Sequence, residues 1–218
     1  MKNEFRKRIY SSLILIPLSF FFIIKGSFLF NFFLFICFCL TIYEWHMMSK
    51  KKNYYLLGII FLSFSFYLTY NLRNYPDDKS LLFFLFVIFI CISSDVGGYI
   101  FGKIFKGPKL TKLSPNKTYA GMIGSYFFAI ILSLLLVNNS GFITEQAYEI
   151  NLELFVLVML ISTISQIGDL IVSFFKRLSK IKDTGKLIPG HGGLLDRIDG
   201  LLFVMPVAYI IFYLNLLK

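Results

Sequence analysis

The sequence predicts an all-α fold: a polytopic membrane helix bundle with about seven transmembrane helices and a cytoplasmic N-terminus. The chain has a mean hydropathy of +0.73 and is 57% hydrophobic, with 27 Phe among 218 residues, which lies outside the range of soluble domains. Its apolar residues form stretches that approach the roughly 20 residues needed to cross a bilayer. If these stretches span a membrane, most of the basic residues lie on the same side of it.

Short linkers between the apolar stretches leave no room for a separate soluble domain. We therefore expect one integral membrane domain over 1–218, with N-terminal spans in 1–75 and a part that carries the polar motifs in 80–218. Four basic residues precede the first stretch but no small-residue cleavage site follows it, so it is interpreted as a retained anchor. The predicted spans are Ile9–Ile24, Ser27–Tyr43, Tyr54–Tyr70, Leu81–Phe101, Tyr119–Val137, Leu152–Phe175 and Leu201–Leu217.

The distribution of Lys and Arg predicts the orientation of the bundle. Of the 22 basic residues, 18 lie at the N-terminus and in the loops on the same side as it, and four lie on the other side. Basic loops of membrane proteins stay in the cytoplasm, so we expect the N-terminus inside and the C-terminus outside. The net charge of +10 then reflects topology rather than nucleic-acid binding, and the basic surface faces anionic lipids and nucleotides.

The fourth and sixth spans each contain an acidic residue deep within the apolar stretch, Asp95 and Asp169. A carboxylate in hydrocarbon is costly and marks a functional site by default. At 1.5 Å per residue the two lie about 21 and 22 Å from the outer edge, so we expect them to meet in one polar cavity near the cytoplasmic side. The alternative is that each is satisfied by a neighbouring serine, such as Ser93, Ser94 or Ser165.

The fifth span is opened by a polar loop that runs from Leu113 to Gly121. Pro115 ahead of a helix start, together with Ser and Thr hydroxyls and unpaired backbone N–H groups, predicts an anion site at the positive end of the helix. The alternative is that Ser114-Pro115 forms an ordinary helix cap.

A polar block from Ser173 to Asp199 separates the last two spans. Asp196 and Asp199 would share one helical face if a helix starts by Leu195. The glycines of the preceding Gly190-His191-Gly192-Gly193 turn allow positive φ and close backbone approach, as a phosphate-holding loop requires. The alternative is that these glycines only reverse the chain.

Carboxylates that meet Lys and Arg at a cytoplasmic cavity favour phosphate chemistry. Mg²⁺ usually binds through one or two carboxylates plus substrate phosphates. Phosphoryl or nucleotidyl transfer needs a metal to neutralise charge, basic groups on the phosphate oxygens and in-line positioning.

These segments resemble those of phosphatidate cytidylyltransferases, also called CDP-diacylglycerol synthases, over roughly residues 90–205; the first three spans match only in hydrophobicity. The segments Gly168–Leu170, Ser114–Thr118 and Asp95–Gly102 are similar to family motifs, the last with Gly98 where the family has Ala. In the C-terminal block the matching positions are Ser173, Lys176, Arg177, Lys182, Asp183, Gly185, Pro189, His191, Gly192, Gly193, Asp196, Arg197 and Asp199.

The chain departs from the family pattern at two positions, Ala120 and Val172, where the family usually has Glu. If either Glu is an essential ligand or base, the protein would be slow or inactive. The pair that the resemblance implies for the metal, Asp169 and Asp196, is intact, which favours an active enzyme.

The resemblance implies a nucleotidyltransferase in which phosphatidate attacks the α-phosphorus of CTP, giving CDP-diacylglycerol and pyrophosphate for phospholipid biosynthesis. It implies that Asp169 and Asp196 bind Mg²⁺, with a second cation left open. The implied catalytic residues neutralise phosphate oxygens, shape the site or, for His191, assist the departing pyrophosphate; they are Lys176, Arg177, Lys182, Asp183, His191, Arg197 and Asp199. The implied substrate-binding residues are Ser114, Lys117, Thr118, Ser173, Gly192, Gly193 and Asp95.

The expected location is the bacterial inner (plasma) membrane with the active site facing the cytoplasm, where CTP is found; the family also leads us to expect a homodimer. One alternative is an inactive or altered-substrate member that acts as a scaffold. The other is a transporter, since buried acids also mark ion paths. The outer halves of the spans are almost wholly apolar, which disfavours a continuous polar path.

Overall fold

The computed structural model describes residues 2–111, 114, 117–139, 151–188, 190 and 192–216. Within these residues the backbone forms α-helices and two isolated β-bridges, without a sheet. The predicted all-α class is therefore confirmed. The helices are α1 (Lys2–Lys25), α2 (Ser27–Ser49), α3 (Tyr55–Arg73), α4 (Lys79–Phe105), α5 (Tyr119–Asn139), α6 (Leu152–Leu178) and α7 (Leu195–Tyr213).

Five of these helices, α2 to α6, are long and apolar enough to cross a membrane. The apolar part of α1, Leu13–Lys25, is shorter, and α7 begins with the charged residues Asp196, Arg197 and Asp199. The helices agree with an integral membrane bundle, while the count of seven spans and the cytoplasmic N-terminus stay predictions.

Two predicted boundaries are shifted in ways that affect the site. Helix α2 continues past Tyr43 to Ser49, which brings Glu44 and Trp45 into the helix. Helix α7 begins at Leu195 and ends at Tyr213, so it starts and ends earlier than the predicted span; Leu217 lies outside the described residues. The early start is what a shared face for Asp196 and Asp199 requires.

Helices α4 and α5 pack closely because glycines face each other across their interface. A Cβ added at Gly97 would lie 2.4 Å from the carbonyl oxygen of Gly124, and one added at Gly124 would lie 2.3 Å from the Cβ of Phe101. Small residues at an interface allow the backbones of two membrane helices to approach each other closely. The contact holds Asp95 of α4 close to the loop before α5.

Buried apolar side chains form two clusters. The larger has buried members in all seven described helices and is centred on α4, α6 and α7. The smaller surrounds the ends of α2, α6 and α7, and its buried members are Trp45, Met48, Leu62, Phe66, Val172, Leu195 and Leu202. Since Val172 precedes Ser173 and Leu195 precedes Asp196, the smaller cluster fixes the two helices from which the polar block projects.

Candidate active site

Three acidic and three basic side chains converge where α4, α6 and α7 meet the loop before α5. Asp95 lies within electrostatic range of Asp169, and Asp199 lies within range of both. The two intramembrane acids are therefore close enough to influence each other electrostatically. The six members of this charged cluster are Asp95, Lys117, Asp169, Lys176, Arg197 and Asp199.

Asp169 is the more accessible of the two carboxylates that the resemblance implies for the metal. Its Oδ2 forms an ion pair with Nζ of Lys117, and the two side chains retain 35% and 26% of their exposure. Its Oδ1 accepts a hydrogen bond of 3.2 Å from Oγ of Ser173, one turn further along α6. The polar loop before α5 and the polar block thus meet at this carboxylate.

Asp196 is more enclosed. Its Oδ1 accepts a hydrogen bond of 2.8 Å from Nζ of Lys176, and its Oδ2 accepts bonds from the Thr184 backbone N–H at 2.8 Å, the Thr184 hydroxyl at 3.1 Å and the Gly193 N–H at 3.0 Å. Asp196 precedes the apolar part of α7. Burial opposes its ionisation, but Lys176 and two backbone N–H groups outweigh that effect and hold the pKa of this carboxyl below its usual value.

The serine alternative holds only in part, because Asp169 accepts a hydrogen bond from a serine one turn away that is not one of the three named. Oγ of Ser94 lies 2.8 Å from Oγ of Ser162, so its hydroxyl pairs with another serine. The hydroxyl that reaches Asp169 belongs to Ser173. Asp95 and Asp169 instead share a set of charged neighbours.

The turn before α7 has the backbone that its glycines predict. Gly190 has φ +79° and Gly192 has φ +91°, a region that favours glycine. The turn is closed by a hydrogen bond of 2.9 Å from the Ile188 N–H to the Gly192 carbonyl. The Gly193 N–H points to Asp196, so in this structure it binds the carboxylate. His191 and Pro189 lie outside the described residues.

The polar loop before α5 ends in a helix cap, although at a different residue from the one named in the alternative. The Thr118 hydroxyl oxygen accepts a hydrogen bond of 3.1 Å from the Gly121 N–H, and its carbonyl accepts one from the Met122 N–H at 3.0 Å. Thr118, rather than Ser114-Pro115, therefore caps α5. The carbonyl of Ser114 accepts a bond from the Lys117 N–H at 3.0 Å, which turns the loop toward Asp169.

Four of the residues predicted to be catalytic are exposed at the surface of the block. Lys182 and Asp183 are exposed. Arg177 is also exposed, and its guanidinium donates to the Ile181 carbonyl at 3.0 Å. Arg197 is exposed as well, but it lies within electrostatic range of Asp95 and so belongs to the charged cluster.

Sequence reasoning missed Glu44, a buried carboxyl group at 2% exposure. Its oxygens accept hydrogen bonds from the polar block. The predicted second span ends at Tyr43, so Glu44 lies outside it. The available signal was an acidic residue close to a long apolar stretch. The helix that contains it continues to Ser49.

The two departures from the family pattern occupy different surroundings. Val172 is 5% exposed and packs in the smaller apolar cluster. That cluster borders an apolar groove of about 220 Å³ between α3, α6 and α7. Ala120 is half-buried in the first turn of α5. Neither residue interrupts the contacts of Asp169 or Asp196.

Asp169 and Asp196 are of the residue type that would hold a magnesium ion whose remaining ligands come from substrate. Asp169 and Asp196 each have one oxygen paired with a lysine ammonium, an arrangement in which a divalent cation can take over the neutralising charge. Among the described residues there is no group of three or more acidic, His or Cys side chains arranged to hold a metal alone. Mg²⁺ needs no such group when phosphates supply further oxygens.

Comparison with known proteins agrees with this geometry. The profile described as "Cytidylyltransferase family" matches residues 6–78 and 73–215. The phosphatidate cytidylyltransferase of Rickettsia prowazekii (strain Madrid E) is 36% identical over 173 residues, 77% of this chain and 74% of the relative. That of Rickettsia felis is 33% identical over 215 residues, 96% and 93% of the two chains.

A phosphatidate cytidylyltransferase of Staphylococcus aureus (strain COL) is 34% identical over 160 residues, which cover 72% of this chain and 57% of the relative. The similarity extends well before residue 90, so the N-terminal helices are also part of the family's common sequence. The expectation that the resemblance covers roughly 90–205 was too narrow. The chain belongs to the cytidylyltransferase family.

Proposed function

We propose that this protein is a CTP:phosphatidate cytidylyltransferase that makes CDP-diacylglycerol for phospholipid biosynthesis. Its relatives carry the name phosphatidate cytidylyltransferase. The observation that carries the proposal is the pairing of Asp169 with Lys117 and of Asp196 with Lys176, since the first pair joins the loop before α5 to α6 and the second joins the two ends of the C-terminal block.

In the proposed reaction an oxygen of the phosphatidate phosphate attacks the α-phosphorus of CTP. A new phosphorus–oxygen bond forms, and the bond from the α-phosphorus to the oxygen that bridges it to the β-phosphorus breaks. Pyrophosphate leaves with that bridging oxygen. The reaction transfers a nucleotidyl group and needs no oxidant or reductant.

The described residues supply positive charge and orientation for this transfer. Lys117, Lys176 and Arg197 would neutralise phosphate oxygens as charge shifts to the pyrophosphate. One well-placed donor can lower such a barrier by about 3 kcal/mol. Asp169 and Asp196 would hold Mg²⁺, and the ion when bound neutralises charge on the triphosphate. Arg177 and Lys182 at the surface of the block would meet the incoming nucleotide.

The proposal also places the bundle in the bacterial inner membrane with seven spans, a cytoplasmic N-terminus and a cytoplasmic site. The support is the excess of Lys and Arg on one side. A Lys182→Cys variant, in a chain whose three native cysteines are replaced by Ala, should react with an impermeant thiol reagent from the cytoplasmic side. Lys182 is exposed, whereas a cysteine at Gly185 would contact Glu44. Labelling from the outside would contradict this orientation.

The test of the function is conversion of labelled CTP and phosphatidate to CDP-diacylglycerol by purified protein in detergent, with Mg²⁺ and with a chelator. We expect product only with Mg²⁺, and none from Asp169→Asn. The matched control is Asp78→Asn, because Asp78 is exposed before α4 and makes no capping bond through its side chain.

Product from Asp169→Asn at the wild-type rate would refute the metal assignment. Absence of product from folded wild-type protein, with several lipid phosphates tried, would favour a scaffold or an altered substrate.

A further inference from the structure

Glu44 joins the N-terminal helices to the polar block. It lies on α2 and is 2% exposed. Its Oε1 accepts a hydrogen bond of 2.8 Å from the Leu194 N–H. Its Oε2 accepts bonds from the Leu195 N–H at 2.8 Å and from the Thr184 hydroxyl at 3.0 Å. One carboxyl group thus contacts both ends of the segment Thr184–Leu195, which we call the anchor loop.

The same loop also surrounds Asp196. Thr184 donates to Oδ2 of Asp196 through its backbone N–H, and its hydroxyl lies between the two acidic side chains, 3.0 Å from Glu44 and 3.1 Å from Asp196. Thr184 is 7% exposed. The position of Asp196 is therefore coupled to that of Glu44 through one buried residue.

Two glycines of the loop lie against Glu44. A Cβ added at Gly185 would lie 2.9 Å from Oε1, and one added at Gly193 would lie 2.2 Å from the Thr184 hydroxyl oxygen and 2.5 Å from Oε2. Both distances are too short for a side chain. From the sequence, Gly193 is explained by the need for the backbone to approach a phosphate closely. The structure adds a second reason for glycine at this position, the close approach of Glu44.

Glu44 also stabilises the start of α7. The first N–H groups of a helix have no partner within the helix, and a negative group near them interacts favourably with the helix dipole. Glu44 accepts from the N–H of Leu194, the N-cap residue, and from that of Leu195, the first helical residue. Helix α7 presents Asp196 and Asp199 to the charged cluster, so its start sets where they lie.

We propose that Glu44 is a positioning residue: it holds the anchor loop and the start of α7 so that Asp196 stays in contact with Lys176 and Thr184. It acts through these groups and touches no substrate. The proposal rests on the proposed function for its kinetic consequence, while its structural consequence can be measured without turnover.

The first experiment uses Glu44→Gln in the full chain, purified in detergent. Glutamine keeps the size of the side chain but replaces one accepting oxygen with an amide NH₂, so at least one of the three bonds is lost. Without Mg²⁺ or substrates, we expect trypsin to cleave after the exposed residues Lys182 and Lys186 at least about tenfold faster than in wild type. The fragments are measured by mass spectrometry.

The second readout separates positioning from general packing. Loss of a residue that orients a metal ligand typically costs 10- to 100-fold in metal affinity or activity. We expect the Mg²⁺ concentration for half-maximal activity to rise by roughly that factor, with the KM for phosphatidate changed less than about twofold. A similar rise in both values, or an unchanged Mg²⁺ requirement, would overturn the positioning role.

Thr41→Val is the matched control on the same helix. Thr41 is 0% exposed, and its hydroxyl donates to the Cys37 carbonyl within α2. We expect wild-type cleavage and an unchanged Mg²⁺ requirement. If Thr41→Val matches Glu44→Gln in both, the effect comes from packing of α2 and the proposal is wrong.

A second pair keeps the proposal testable if Glu44→Gln fails to fold. Thr184→Val removes the shared hydroxyl and should open the loop to trypsin, whereas Thr184→Ser retains it and should behave as wild type. Equal cleavage of the two variants would overturn the anchoring. If trypsin cleaves Thr184→Val faster while the wild-type protein makes no CDP-diacylglycerol, the anchoring is supported and the proposed function is refuted.

Discussion

Lys176 and Asp196 form an ion pair of 2.8 Å between the end of α6 and the start of α7, with side chains only 10% and 5% exposed. Lys117 and Asp169 form the second ion pair of the site, but with 26% and 35% exposure. Because the cost of leaving a charge unpaired increases with burial, the two lysines should respond differently to substitution.

Lys176→Met should lower both stability and activity. The substitution leaves Asp196 buried beside two backbone donors without its cation, and breaking a buried pair in this way costs about 3–5 kcal/mol. The measurements are thermal unfolding in detergent and CDP-diacylglycerol formation. Lys186→Met, at an exposed position of the same block, is the control and should melt as wild type does. An unchanged melting temperature for Lys176→Met would show that the pair is not structural.

Val172→Glu, which restores the usual family residue, should destabilise this chain. Val172 is 5% exposed among apolar side chains, and an unpaired buried carboxyl group is costly there. Ala120→Glu is the companion variant. Ala120 is half-buried in the first turn of α5, where an acidic residue is favourable, so its stability should change by less than about 1 kcal/mol.

If Val172→Glu instead raised CDP-diacylglycerol formation without loss of stability, the missing carboxylate would be a functional defect of this chain. The comparison therefore distinguishes adaptation of the local packing from loss of a catalytic group. Turnover and thermal unfolding are measured on the same samples.

Gly97→Ala should loosen the contact between α4 and α5. The new methyl group would meet the backbone oxygen of Gly124 at 2.4 Å, and backbone cannot move aside cheaply, so we expect a loss of about 1–3 kcal/mol. Gly102→Ala on the same helix is the control, since its methyl group would lie 3.3 Å from the Thr118 hydroxyl and a side chain can adjust. Equal melting temperatures for both variants would contradict the close packing.

The sequence predicted the helices and the charged members of the site, because both leave strong local signals. Apolar runs define α2 to α6, and an acidic residue such as Asp169 stands out within such a run. Glu44 was missed because the predicted end of its span at Tyr43 was too early. Its partners Thr184 and Leu194 are distant in the sequence, and only the fold brings them together.

The hydrogen-bond partners of individual polar groups could not be predicted from the sequence either. Glycine at position 193 fits both a phosphate-binding loop and the close approach of Glu44, and the residue type does not distinguish them. Thr and Ser are both residue types that favour a helix N-cap, so Thr118 and Ser114 cannot be distinguished by residue type. The choice of Thr118 depends on where the loop places its hydroxyl.

Lys117→Met should reduce activity with little effect on stability. The Lys117–Asp169 pair is partly exposed, and such pairs contribute at most about 1 kcal/mol to folding. The lost positive charge would otherwise stabilise charge on the transferring phosphates, so turnover should fall roughly 100-fold. Thermal unfolding and CDP-diacylglycerol formation are compared with those of Lys176→Met. If Lys117→Met lost as much stability as Lys176→Met, its role would be structural, and the proposed contact with phosphate would lose its support.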